Sequence, residues 1–303
     1  MPGRSRSQRY AREVLVVIDG RSHCSSREHR GSLRRAVGVF LAAAVAAAVA
    51  GGCSRCHTLN CRLDAIEDDD ARRIVRDAVW AHGSKYRWAE CTALRAEVTR
   101  TEHRPGGDTA TDEVWLLDPV TGHLRIETPA QSAVAVFDGR RLRVFRDGAE
   151  TDDAAARGRA AGQARLVGEL LAMPISLLGD GRTVAYAGTR TGTAEARTWQ
   201  GLAVTDGTAS GYSGQDRTVV EVRKGARRVE NVLIRWSQDP FFGRRMRVRM
   251  DDWRPADDLV VSRRWRLTPI DESGAATGPV QYTVRIHRVE VNPEVGGRPF
   301  SRP

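Results

Sequence analysis

Lysine is nearly absent from this sequence. Of its 303 residues 48 are basic, but only Lys85 and Lys224 are lysines, so arginine carries the formal net charge of +10. The excess is uneven, because residues 1–52 contain nine arginines and three acidic residues, which leaves 39 basic and 35 acidic residues in the remainder. Proteins that bind nucleic acid typically carry a concentrated basic face on the folded domain, whereas the charges of this remainder are nearly balanced. We therefore expect no nucleic-acid partner.

The common catalytic motifs are also missing. The sequence has no G-x-S-x-G nucleophile turn, no H-E-x-x-H zinc motif, no G-x-x-x-x-G-K-[ST] phosphate loop and no G-x-G-x-x-G dinucleotide motif. A zinc site would need four converging ligands, and the cysteines and histidines do not supply such a set. The sequence predicts a protein that is not an enzyme, with no catalytic residue, no metal and no cofactor.

No apolar run reaches the roughly 20 residues that a membrane-spanning helix needs. Residues 36–50 form an uncharged run of fifteen residues rich in alanine and valine, preceded by Arg30, Arg34 and Arg35 and followed by two glycines. This order of positive, apolar and small residues is typical of a secretory signal. We predict that residues 1–52 are an export leader, and an uncleaved transmembrane helix is the alternative.

The residues after the apolar run resemble the bacterial lipobox. In Ala50-Gly51-Gly52-Cys53, small residues precede the cysteine, as in lipoproteins that are acylated at the first mature residue. The resemblance implies that Cys53 is lipidated, that residues 53–67 form a tether and that the protein is anchored to a membrane. An Asp directly after the acylated cysteine resembles a signal for retention in the inner membrane, but this sequence has Ser54 at that position. We therefore expect the protein in the outer membrane, with its domain in the periplasm.

The cysteines allow other chemistry as well. Cys53, Cys56 and His57 form a C-x-x-C-H pattern, which is typical of covalent c-type haem attachment and keeps a haem protein open as an alternative. In an oxidising compartment Cys61 and Cys91 could form a disulfide across a loop of about 30 residues, worth about 3 kcal/mol. Three unpaired cysteines are the other possibility.

Beyond residue 67 the hydrophobic period first indicates a helix and then strands. Asp68-Asp69-Asp70 predicts a helix that runs to about Ala81, and a second helix is predicted to end before Met173-Pro174. Most of the remaining segments alternate apolar and polar residues between glycine-rich turns. The predicted fold is mainly β (α+β): a single curved antiparallel sheet of about 11 strands forming an unclosed half-barrel, with two helices covering the concave face.

Together these elements resemble the LolA and LolB superfamily of outer-membrane lipoprotein carriers and receptors. The similarity is carried by His82-Gly83, Glu113-Val114-Trp115, Val136-Phe137-Asp138-Gly139 and Met173-Pro174, in that order. It implies one domain over residues 68–303 that binds lipids, or the acyl chains of other lipoproteins, without performing chemistry.

The resemblance also implies a ligand cavity inside the first half of the sheet. The side chains expected to line it are Leu94, Val98, Trp115, Leu124, Ile126, Val134, Val136, Leu142 and Val144. The alternative is that these side chains pack against the helices and fill the hollow. The protein would then be an envelope scaffold or a stress-sensing module.

Overall fold

The computed structural model describes residues 54–192, 197–206, 217–235, 244–294 and 300. The predicted leader at residues 1–52 and the predicted lipidation site at Cys53 lie outside the described residues. Ser54, the first described residue, already lies in a helix.

The described part of the chain contains four α-helices. They are α1 (54–64), α2 (Asp69–Ala81), α3 (Ser84–Glu90) and α4 (Ala154–Leu170), and short 3-10 turns lie at Pro129–Gln131 and Ile175–Leu178. The two predicted helices correspond to α2 and α4, whereas α1 and α3 were not predicted.

Helix α1 occupies most of the segment that was expected to be a tether. Leu59, Leu63 and Ile66 are buried, with 1%, 9% and 6% of their surface exposed, and they belong to the main hydrophobic core. Burial of three aliphatic side chains attaches this segment to the domain. The folded structure therefore begins before residue 68, which was the boundary expected from the sequence.

Among the described residues, thirteen antiparallel strands form one sheet, compared with about eleven predicted. They are β1 (Leu94–Glu102), β2 (Thr109–Leu117), β3 (Leu124–Thr128), β4 (Ala133–Phe137), β5 (Leu142–Arg146), β6 (Ala149–Glu150), β7 (Arg182–Thr191), β8 (Thr198–Asp206), β9 (Arg217–Arg223), β10 (Val229–Arg235), β11 (Arg245–Ala256), β12 (Leu259–Pro269) and β13 (Tyr282–Val291). Strand β6 has only two residues, too few to show a period of two.

The order of the strands defines how the chain crosses the sheet. It is β6-β5-β4-β3-β2-β1-β13-β12-β11-β10-β9-β8-β7, so β6 and β7 are the two edges and the sheet is not closed. The chain enters in the middle at β1 and moves outward to β6. It then crosses through α4 to β7 at the other edge and returns strand by strand to β13, which pairs with β1.

Helix α2 is attached to the edge strand β7. One carboxylate oxygen of Asp68 accepts a hydrogen bond from the Ala71 N–H at 3.0 Å and caps α2, while the other accepts from the Tyr186 N–H on β7 at 2.8 Å. The inner face of α2 is apolar, because its buried residues are Ala71, Ile74, Val75, Ala78 and Val79. The helix thus covers part of the concave face and satisfies a backbone donor on β7.

A buried ion network fixes the second half of α4. The side chain of Arg165 is fully buried and pairs with Glu169 at 2.9 Å and with Asp206 on β8 at 3.5 Å. Arg182 on β7 contacts the same two carboxylates, at 3.4 and 2.8 Å. Because each buried charge has partners of opposite sign, the network avoids the large cost of an unpaired buried ion and joins α4 to the β7 edge.

Helix α2 ends at Ala81 and is followed by His82-Gly83, as predicted. Gly83 has a φ of +120°, and a Cβ atom at this position would lie 2.5 Å from the Asp258 carbonyl oxygen, so only glycine fits. The His82 side chain is completely buried, with its ring 4.6 Å from the Trp253 ring and its Nδ1 2.7 Å from the Ala78 carbonyl oxygen. Burial lowers the pKa of His82 to about 4.

We expect His82 to make the protein less stable at acidic pH. Its pKa is about 4 in the folded state and roughly 6.5 in the unfolded state, so its contribution is fully present above pH 6.5 and is lost as the pH falls toward 4. Between pH 8 and pH 5 the loss is about 2 kcal/mol. Urea unfolding at both pH values should show a pH dependence smaller by about that amount in His82→Leu than in the wild type.

The matched control is His57→Leu, which removes an exposed histidine on α1. This variant should keep the pH dependence of the wild type. If His82→Leu and the wild type showed equal pH dependence, the claim that the lowered pKa of His82 reduces stability at acidic pH would be contradicted.

Candidate functional site

A cavity of about 310 Å³ lies between α4 and the β1–β5 half of the sheet. This volume is at the lower end of the range of small-molecule sites, about 300–1,000 Å³. Leu267 on β12 and Tyr282 and Val284 on β13 complete its wall. Arg146 and Arg159, which also line it, are exposed, so the cavity opens to solvent at the end of β5 and the beginning of α4.

The cavity exists because small side chains line it from two sides. Ala133 and Ala135 contribute from β4, and Ala156 and Ala160 contribute from α4. Nearly two turns beyond Ala160 the helix presents Leu166, and the following core positions, Val167 and Leu170, are large and buried. The first half of α4 therefore leaves a space above the sheet that the second half fills.

A buried carboxylate lies in the polar part of the wall. Glu113 on β2 is 3% exposed and accepts hydrogen bonds from Trp115 Nε1 at 2.8 Å and from two nitrogens of Arg100 at 3.0 and 3.2 Å. It also accepts a hydrogen bond from the Gln163 amide on α4. A buried carboxylate is tolerated when such donors satisfy it. Glu113 thus connects the first half of α4 to the sheet.

A second polar group lies at the ends of β1 and β13. Burial and a hydrogen bond with Glu102 raise the pKa of Tyr282 to about 12. The hydrogen bond from Arg104, at 2.7 Å, lowers the pKa of Glu102. Neither group is poised to exchange a proton near neutral pH, as a general acid or base would be.

The structure places the predicted cavity residues in three groups. Ile126, Val134 and Val144 line the cavity. Five others lie on the concave face but pack into the hydrophobic core, which fills the middle of the hollow: Leu94, Val98, Trp115, Leu124 and Leu142. Val136 is buried but pairs across the sheet with Arg125 and Arg143.

The register of β4 differs from the expectation. Ala135 pairs with Ile126 and Val144, which puts Ala135 and its alternate neighbours on the concave face and Val134 and Val136 on the opposite face. Val134 reaches the cavity only at its margin. Every residue of this strand is apolar, so periodicity alone cannot identify the inner face.

The polar lining residues were not predicted, although the sequence contains a signal for two of them. Arg100 follows Val98 by two positions and Arg146 follows Val144 by two positions, so each continues the inward face of its strand. Arg159 and Gln163 share a face of α4 because they are four residues apart. Charged residues at inward positions are a recognisable sign of a solvated hollow.

The proposed Cys61–Cys91 disulfide is not formed, because both residues are free thiols. Arg55 donates to the Cys91 carbonyl oxygen at 3.0 Å, and Cys61 lies six residues further along α1, about 9 Å away along the helix. Cys61 is exposed with its sulfur 3.4 Å from His57 Nδ1, whereas Cys91 is buried. Burial raises the pKa of the Cys91 thiol to about 12, so it stays protonated.

The c-type haem pattern falls partly outside the described residues, since Cys53 is one of its members. Cys56 and His57 lie on α1, and neither lines the cavity under α4. Within the described part of the chain no three His, Cys, Asp or Glu residues are grouped closely enough to hold a metal ion. None of the helices formed by the same residues has both the length and the apolar character that crossing a membrane requires.

Comparison with solved structures gives several matches. A DUF1329 family protein from Desulfovibrio piger superposes with a TM-score of 0.50 at 11% identity, over 76% of this chain and 97% of the other. A LolA superfamily protein from Nitrosomonas europaea gives 0.49 at 13% identity, over 74% and 94%. An outer membrane lipoprotein-sorting protein domain from Vibrio parahaemolyticus gives 0.39 at 10% identity, over 74% and 92%.

The chain has the fold of the DUF1329 family protein. The prediction of an unclosed antiparallel half-barrel with helices on its concave face is confirmed, with thirteen strands instead of about eleven. At 10 to 13% identity the likeness concerns the fold alone. No protein-family model and no curated protein matches the sequence.

We expect Gln163 to hold the first half of α4 over the cavity. In Gln163→Ala the hydrogen bond to Glu113 is lost, so amides of residues 154–163 should exchange hydrogen roughly 5- to 30-fold faster, as the loss of about 1–2 kcal/mol implies. Amides of the second half of α4 should exchange at the wild-type rate because the Arg165 pairs remain. Hydrogen exchange read by mass spectrometry measures both regions.

Gln131→Ala serves as the control. Gln131 lines the same cavity but is exposed. Its replacement should leave exchange in α4 unchanged. Unchanged exchange in Gln163→Ala would show that this hydrogen bond does not restrain the helix.

Proposed function

We propose that the protein is a non-enzymatic cell-envelope lipoprotein that binds an acyl chain of a lipid, or of another lipoprotein, in the cavity under α4. The observation that carries the proposal is the cavity itself, which has an apolar side formed by residues of β3, β4, β5 and α4 and an open mouth, in a sheet whose middle is otherwise filled. An acyl chain placed there would leave water at a gain of about 0.8 kcal/mol for each buried methylene.

The chemistry of the lining supports binding without catalysis. Among the residues that the structure describes, those lining the cavity include no Ser, Cys, His or Lys. Its two carboxylates are held by arginines, Glu113 by Arg100 and Glu102 by Arg104. A site for nucleophilic or acid–base catalysis would need an activated group near the ligand.

We also propose that Cys53 is acylated and holds the domain against the periplasmic face of the outer membrane. The next residue, Ser54, already lies in α1, and Arg55 is bound to Asp118 at 2.6 Å, beside the end of β2. An anchor at Cys53 would therefore place the Leu94 end of β1 near the bilayer. The cavity lies toward the Glu102 end of β1, about 26 Å away along the strand.

The anchor predicts a defined mature chain. The protein extracted from the membrane fraction should begin at Cys53 and carry the added mass of its acyl chains, whereas Cys53→Ala should carry none and should not be processed at this position. Intact-mass measurement tests this prediction and would also detect the covalent haem of the alternative function. Cys61→Ala is the control and should behave as the wild type.

A mature chain that begins upstream of residue 53, or that lacks lipid mass, would contradict the proposed anchor. Sucrose-gradient separation of the two membranes tests the outer-membrane location, since the protein should sediment with outer-membrane markers.

The cavity predicts exchangeable binding of an acyl chain. Ala135→Phe places a ring between β4 and α4, so the affinity for a fluorescent fatty acid should fall at least tenfold, or by about 1.4 kcal/mol. Filling a void costs less stability than overpacking a dense core. Thermal unfolding should therefore show a folded variant, and fluorescence titration measures the binding.

The control is Thr183→Phe, which adds the same ring at an exposed position on β7. Its affinity should equal that of the wild type. Absence of binding to the wild-type protein would contradict the carrier function. It would favour the envelope scaffold or stress-sensing module, for which the stacked rings of Trp115 and Trp265, 5.5 Å apart in the filled core, are the supporting observation.

A further inference from the structure

Two arginines at the cavity mouth differ from the other charged residues of its wall. Arg146 at the end of β5 and Arg159 on α4 both line the cavity and are exposed. Among the described residues neither has an ion pair or a side-chain hydrogen bond, whereas Arg100 and Arg104 pair with carboxylates. Their guanidinium groups are therefore available to a ligand.

The charged residues that line the cavity also have an excess of positive charge. Four arginines and two glutamates line the cavity, which leaves a net charge of +2 beside its apolar surface. The two paired arginines are neutralised by their glutamates, so the excess resides on Arg146 and Arg159. A low-dielectric wall next to these groups strengthens their attraction for an anion.

We propose that the cavity selects amphiphiles with an anionic headgroup. The acyl chain lies between β4 and α4, and Arg146 and Arg159 bind the phosphate or carboxylate of the headgroup at the mouth. Guanidinium groups suit this role because their paired N–H donors match the oxygens of both anions. The inference rests on the proposed function, since it specifies which amphiphile the same cavity takes.

The test compares two fluorescent probes that share one tail, a fatty acid and the corresponding fatty alcohol, at pH 8 with the full-length protein in detergent. The wild type should bind the acid about tenfold more tightly, as charge-assisted hydrogen bonds imply. Raising the salt concentration should reduce this advantage because the arginines are exposed. Binding of the alcohol should not change with salt.

The variant Arg146→Gln/Arg159→Gln should lose the tenfold preference for the acid and keep the affinity for the alcohol. Arg140→Gln/Arg141→Gln is the matched control. It removes the same charge from exposed residues in the turn between β4 and β5, outside the cavity wall. This control should retain the preference, which separates local recognition from the effect of net charge.

Each contrary result has a distinct meaning. Equal affinity for acid and alcohol in the wild type, or a preference that survives in Arg146→Gln/Arg159→Gln, would overturn the headgroup proposal while the proposed function stands. Failure of both probes to bind would overturn the proposed function as well. Competition by inorganic phosphate as effective as competition by phosphatidylglycerol would show an anion site without an acyl chain, and would overturn the selection of amphiphiles.

Discussion

The structure depends on one crossing of the chain. Because β6 and β7 are opposite edges of a single open sheet, the segment between them must pass over the sheet, and α4 does so on the concave face. An open sheet with one apolar face needs such a cover. The crossing provides the cover for one half of the sheet, while α1 and α2 supply more of the core. Helix α4 therefore determines both the packing of the fold and the roof of its cavity.

The two halves of α4 are held differently, and the cavity lies under the less firmly held half. Buried ion pairs between Arg165, Glu169 and Asp206 fix the second half near the β7 edge. The first half is joined to the sheet through the hydrogen bond from Gln163 to Glu113. Alanines on this half leave room for a ligand where leucines would have filled it. The cavity therefore lies under the first half of α4, while the buried ion pairs hold the second half.

The class of fold could be predicted because the sequence carries its signals over long stretches. Alternation with a period of two, the capping aspartates of α2 and the helix end at Gly83 are local features, and all of them appear in the structure. Helix α1 was missed because its sequence is polar on most of its surface: Leu59 and Leu63 are buried, and Cys56 packs partly buried against the core. The face of β4 was missed because all five of its residues are apolar, so both faces satisfied the pattern.

The kind of secondary structure along the chain and the existence of a curved antiparallel sheet could thus be read from local patterns, because hydrophobic period, caps and turn residues act within a few residues of one another. The place where the hollow stays open is set by tertiary packing. That depends on Ala135 and Ala160 meeting across the space between β4 and α4, and on Arg146 and Arg159 arriving at its mouth from different elements. These contacts join residues distant in sequence, and no local pattern specifies which small or charged side chains will face one another.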